Sequence, residues 1–183
     1  LSRTSIGHEN GMRILDLAGT WKVQQRGGNT TADATVPGNI QTDLLAAGKI
    51  DDPFHRHNEE QQMWIGESDW IYSREFEVPP DLLESERVLL QCRGLDTFAD
   101  IRLNGRHVGK ADNMFRTWEF EVRELLQGGT NRIRIALESV LPYVRKKLSE
   151  DGLAATGIRD HKIPGGNYVR KEQCNFGWDW GPK

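Results

Sequence analysis

The dipeptide Asn104-Gly105, set between two runs that alternate apolar and polar residues, is the feature that most limits what this chain can become. Both central positions of a two-residue type I′ turn need positive φ, and Asn-Gly supplies that at little steric cost. The pair therefore predicts an antiparallel hairpin made of 96–103 and 106–110. In that pairing Leu103 faces Arg106 and Ile101 faces Val108, so the apolar pair shares the inner face. A slip of one residue would bury Arg102 instead.

The same two-residue period recurs elsewhere. Strands are expected over 20–25, 32–36 and 70–78, the last bounded by Asp69 and by Pro79-Pro80. The run 87–92 puts Val88, Leu90 and Cys92 on one face, and 131–137 turns Ile133, Ile135 and Leu137 inward with Arg132 and Arg134 outward. Helical patterns are few. Asn39 can cap a short helix with Ile40, Leu44 and Ala47 on one stripe and Gly48 at its end. Pro142 can open a second, with Leu141, Val144 and Leu148 at helical spacing. The polar, glycine-rich stretch 151–167 reads as a long loop. Many short strands with minor helices predict an all-β, jelly-roll β-sandwich carrying one or two short peripheral helices.

With 183 residues, 37% of them hydrophobic, the chain can bury one substantial core. Its 24 basic and 27 acidic residues are intermixed, which leaves no basic surface to recruit nucleic acid. It has no apolar run of about 18 residues that would span a membrane. The opening decapeptide lacks the basic end and apolar stretch of a secretory signal, and 1–14 is expected to be a tail or leader ahead of a domain at 15–183. Cys92 and Cys174 match no metal or redox spacing and read as buried free thiols. Of the six tryptophans, Trp21, Trp64, Trp70 and Trp118 are assigned to the core or its rim.

Most candidate chemistry falls away on inspection of its neighbours. Ser68 lies in Gly66-Glu67-Ser68-Asp69-Trp70, which lacks the second glycine of a nucleophile elbow. Gly165-Gly166 has neither the spacing nor the following helix of a phosphate loop. His55 and His57, near Glu59 and Glu60, offer two ligands without an anchored third, so a polar loop is the reading and no metal site is assigned. Glu67, Asp69 and Glu119 are expected to be solvent-facing or hydrogen-bonded.

The end of the chain differs. In Trp178-Asp179-Trp180 two indoles flank one carboxylate, and Gly177, Gly181 and Pro182 shape the backbone around them. In a bent segment all three side chains can line one cavity, where aromatic faces meet sugar C–H groups and the carboxylate accepts from hydroxyls. The same residues also suit a core role, with Asp179 held by an internal arginine such as Arg170.

The run Arg170-Lys171-Glu172-Gln173-Cys174-Asn175-Phe176-Gly177-Trp178-Asp179-Trp180-Gly181-Pro182 closely resembles the hallmark of β-mannosidases in glycoside hydrolase family 2. Further blocks agree in the same order, among them Leu17-Ala18-Gly19-Thr20-Trp21, Asp52-Pro53-Phe54, Gly94-Leu95-Asp96-Thr97 and Ala111-Asp112-Asn113-Met114-Phe115. The resemblance implies a sugar-binding jelly-roll domain preceding an immunoglobulin-like domain and a (β/α)₈ barrel. In that family two barrel glutamates act by the retaining mechanism, so no catalytic residue is expected in this chain and the chain alone should be inactive. The resemblance assigns Asp179 to hydroxyls of a terminal mannose, with Trp178 and Trp180 forming the wall at the non-reducing end.

The implied partners are a terminal β-mannoside of an oligosaccharide or glycoprotein glycan and the remaining domains of the same polypeptide, with no cofactor, nucleic acid or membrane. Charge and spacing add Arg170 as a support for the loop, through a charge-assisted bond to Asp179. The family pattern runs on past Gly-Pro into a further strand, whereas this sequence stops at Lys183. A domain truncated before its last strand, with an open sheet edge and a poorly ordered end, is therefore expected. Two alternatives stay open, namely a stand-alone carbohydrate-binding module and the equivalent domain of another family 2 glycosidase.

Overall fold

The computed structural model describes residues 6–9, 12–151 and 165–177. Its elements in chain order are β1 (Ile6–Glu9), β2 (Met12–Leu15), β3 (Gly19–Gln25), β4 (Thr31–Val36), α1 (Ile40–Ala46), α2 (Asn58–Gln61), α3 (Trp64–Glu67) and β5 (Trp70–Val78). There follow α4 (Pro80–Leu83), β6 (Leu89–Arg93), β7 (Phe98–Leu103), β8 (Arg106–Ala111), β9 (Thr117–Glu121), β10 (Gly129–Glu138) and α5 (Leu141–Asp151). Six strands form one antiparallel sheet in the order β4-β3-β5-β10-β7-β8, β6 pairs with β9 in a second, and β1 pairs with β2.

Alternation decides what the large sheet buries. Trp21 and Val23, Tyr72 and Phe76, Ile101 and Leu103, and Ile133 and Ile135 share its inner face and the main core. Leu90, Trp118 and Phe120 of the β6–β9 pair pack against that core, which makes the two-layer sandwich that the short alternating strands predict.

The turn at Asn104-Gly105 has φ of 51° and 80°, and Leu103 lies opposite Arg106 as expected. Beyond that point the register departs from the simple pairing. Ile101 faces Gly109, not Val108, because β8 carries a bulge opposite the Ile101/Arg102 step. The extra residue sets Ala111 opposite Ala99, both buried, while Lys110 pairs with Asp100 on the other face. Regular pairing would have turned Lys110 toward the core, and that desolvation cost is the physical reason for the bulge.

Asn39 caps α1, its Oδ1 accepting from Thr42 N–H at 2.9 Å. The expected stripe is narrower than 40/44/47. Leu44 is buried and Ile40 half-buried, but Ala47 is exposed at the helix end. The buried neighbour is instead Asp43, which accepts from Thr35 N–H at 2.9 Å and from the Tyr72 hydroxyl at 3.3 Å. Burial, and then the Asp43 charge, hold the Tyr72 hydroxyl well above the usual phenol range.

A second polar knot ties β10 to the β7–β8 turn. Asn131, fully buried, donates to Gln127 O at 2.7 Å and Gly129 O at 2.9 Å. Its Oδ1 accepts from Gln127 N–H at 3.0 Å and from Asn104 Nδ2 at 2.7 Å. Both amide hydrogens and both oxygen lone pairs of that carboxamide are used, which is how a buried amide becomes affordable.

Both cysteines are free, but only Cys92 is buried; Cys174 is half-buried, because it lies on a surface segment outside the sandwich. Burial pushes the Cys92 thiol up to about 11. In native protein at pH 8, Cys92 should resist thiol reagents and become reactive only on unfolding. Because its folded value lies above its unfolded one, stability is undiminished below the ordinary thiol value and falls as pH rises through about 11. Denaturant midpoints at pH 8 and pH 11 should therefore differ less in Cys92→Ala than in the unaltered chain.

Candidate functional site

The described chain that leads into Trp178 is 165–177, and it rests on a second apolar cluster outside the sandwich. Val169 and Phe176 are buried there against Val140, Leu141 and Val144, with Phe98 and Leu148 beside them. The α5 face that supplies this support carries Leu141, Val144 and Leu148, the stripe read from the sequence. Gly166 is required by close approach, since a Cβ there would come 2.5 Å from the Phe176 ring. Two short 3₁₀ turns, Gly166–Tyr168 and Gln173–Phe176, keep the segment compact, and Gln173 Nε2 donates to both Gly166 O and Lys171 O, at 3.1 and 3.0 Å.

The other side of the segment is held by the β8–β9 connection. Asn113 and Arg170 form a parallel bridge, and Met114 N–H donates to Arg170 O at 3.0 Å. Glu172 N–H in turn donates to Met114 Sδ at 3.0 Å. The Lys171 ammonium pairs with the Asp96 carboxylate. Asn113 itself is fixed, its carbonyl accepting from Trp118 Nε1 at 3.0 Å and its Oδ1 from Phe115 N–H at 2.9 Å.

Of the residues singled out by sequence, Arg170 and Gly177 are described. Arg170 is exposed and contributes backbone contacts to the bridge, and Gly177 is buried with its N–H donating to Cys174 O at 3.2 Å. Trp178, Asp179 and Trp180, and with them the expected Arg170–Asp179 bond, lie outside the described residues. Sequence reasoning did not single out Asp96, Met114 and Lys171 as supports. Asp96 and Met114 stand in blocks that share the family resemblance, but no spacing rule joins residues 58 or 75 positions apart.

Next to the segment runs a groove of about 410 Å³ lined by Phe98, Asp100, Asp112, Trp118, Glu138 and Tyr143. It shares Phe98 with the apolar cluster, and Asp112 adjoins Asn113. Phe98 and Tyr143 meet edge to face with centroids 5.2 Å apart, and the Arg116 guanidinium lies 4.5 Å from the Trp118 ring centre. The groove thus offers aromatic surface, but two of its carboxylates are already engaged, Asp100 with Arg102 at 3.2 Å and Glu138 with Arg26 at 3.6 Å, and Lys110 lies among them.

The remaining candidates serve the fold. Glu67 pairs with Arg145 at 3.1 Å, Asp69 accepts from Ser139 N–H at 2.8 Å, and Glu119 accepts from Gln91 Nε2 at 2.8 Å. Ser68 donates to Trp64 O at 2.8 Å and accepts from Gln25 Nε2 at 2.9 Å. His55 and His57 are exposed in the turn before α2, and no three His, Cys, Asp or Glu gather at a metal-sized site among the described residues.

Residues 21–183 match the family model described as glycosyl hydrolase 2 galactose-binding domain-like. The chain belongs to this family. As a family 2 galactose-binding-like domain it is 32% identical over 178 residues to the β-mannosidase of Mus musculus, an alignment covering 91% of this chain and 19% of that protein. It is 34% identical over 166 residues to β-mannosidase A of Emericella nidulans, covering 88% of this chain and 17% of the relative. The solved β-D-mannosidase of Dictyoglomus thermophilum superposes with a TM-score of 0.84 at 36% identity, over 93% of this chain and 21% of that one. The domain therefore spans about a fifth of the length of these relatives.

Proposed function

We propose that this domain is the non-catalytic front domain of a β-mannosidase, and that its Trp178-Asp179-Trp180 segment completes the pocket for a terminal, non-reducing β-D-mannose. The observation that carries this reading is likeness to β-mannosidases over nine-tenths of the chain, in sequence and in fold alike. Cleavage then belongs to a pair of glutamates in a barrel domain, one protonating the leaving oxygen and the other forming the glycosyl-enzyme intermediate. The task of this domain is positional. The two indoles stack on sugar C–H faces, and the Asp179 carboxylate accepts from ring hydroxyls, contacts that lower the barrier to the extent that they strengthen in the transition state. The firm seating of 165–177 immediately before Trp178 supports such a role, since a binding residue is only as well placed as the backbone that delivers it.

The complete polypeptide carrying this domain is expected to hydrolyse an aryl β-mannoside in preference to the matching β-galactoside and β-glucosaminide. The 183-residue chain alone should give no turnover above a mock-purified control and no calorimetric signal with manno-oligosaccharides. Preference for another glycoside would sink the assignment, and sugar binding by the chain alone would identify an independent binding module.

A further inference from the structure

We infer that Met114 is a positioning residue for the sugar pocket, acting through a two-point hold on 170–172; this rests on the β-mannosidase reading above. Three observations carry it. First, one residue makes both contacts: Met114 N–H donates to Arg170 O at 3.0 Å, and Met114 Sδ accepts from Glu172 N–H at 3.0 Å. Opposite polarity at two points two residues apart fixes the direction of the segment as well as its distance. Second, the hold is itself braced, because Asn113 is tied to Trp118 Nε1 and to Phe115 N–H, and Lys171 is drawn to Asp96 on the neighbouring loop. Third, the far end of the segment is pinned by buried Phe176 in the α5 cluster, so 170–177 is fixed at both ends just ahead of Trp178.

A thioether is a weak acceptor, and a leucine of similar volume would fill the same space. The choice that matters is therefore the acceptor atom, and substitutions can separate it from the volume. Met114→Leu removes the acceptor and keeps the bulk, whereas Met114→Gln restores an acceptor at comparable reach. An error of about 1 Å in a group that positions substrate can cost up to a hundredfold, and loosening one of several tethers should give a fraction of that.

In the complete polypeptide, Met114→Leu is expected to raise KM for an aryl β-mannoside roughly three- to tenfold, with kcat changed less than twofold and Tm unchanged. Met114→Gln should recover most of the loss. Hydrogen exchange of the peptide spanning 170–177 should quicken in the leucine variant and return toward normal in the glutamine one. Equal KM for all three proteins, or equal impairment of both variants, overturns the inference even where the unaltered protein is fully active. Absence of β-mannoside turnover by the unaltered protein overturns the functional reading first, and this inference with it.

Discussion

Replacing Asp179 by alanine in the complete polypeptide is expected to lower kcat/KM for an aryl β-mannoside by about a hundred- to a ten-thousandfold, while Tm moves by less than about 2 °C. The size follows from chemistry. A carboxylate that accepts from two sugar hydroxyls makes two charge-assisted bonds, each worth roughly 1.5–3 kcal/mol, and every 1.4 kcal/mol is a tenfold factor. Asparagine at the same position keeps the shape and one acceptor oxygen but loses the charge, so Asp179→Asn should cost about tenfold. Steady-state kinetics beside a thermal melt decide the matter. A fall in Tm that tracks the loss of activity would favour the rival reading, in which Asp179 is a structural partner of Arg170 between two packed tryptophans.

The largest effect on stability is expected at Asn131, which no sequence pattern singled out. Asn131→Ala removes four hydrogen bonds at once and takes a partner from the Gln127 N–H, from the Gln127 and Gly129 carbonyls and from one Nδ2 hydrogen of Asn104. At about 1 kcal/mol per bond the loss is about 3–5 kcal/mol. For a domain of this size that lowers Tm by about 10 °C. The damage should be shared by the β7–β8 turn, because Asn104 also accepts from Arg132 N–H at 2.9 Å and donates to Leu125 O at 2.9 Å. Urea denaturation measures it directly, and a change below about 1 kcal/mol would show that water replaces the lost partners.

Much of the fold was legible because strand signals are local. The stretch 70–78 reads as β5 with the same bounds, and the faces of Ile133, Ile135, Arg132 and Arg134 follow from alternation alone. What escaped was of longer range. The bulge in β8 depends on which of Lys110 and Ala111 meets Ala99, a question that exists only once β7 and β8 are paired. Asp43 reads as an ordinary first-turn helix residue until β4 and β5 bring Thr35 and Tyr72 to it. The candidate site divides in the same way. Its motif was legible in the run 170–182, because two indoles, one carboxylate and their glycines lie within a few residues. Its supports were not, because Met114 and Asp96 reach the segment across 58 and 75 positions of chain.

By itself, then, the sequence determined the sandwich class, the inward faces of the main strands, the Asn104-Gly105 turn and the motif that marks the family. Each is written in residues close enough to interact before any global structure exists. Only the tertiary structure decided the register beyond the turn, the closure of the Asn131 and Asp43 networks, and the seat of 165–177 between α5 and the β8–β9 connection. Those outcomes depend on desolvation and hydrogen-bond satisfaction between distant segments, and that energy exists only after the sheets have come together.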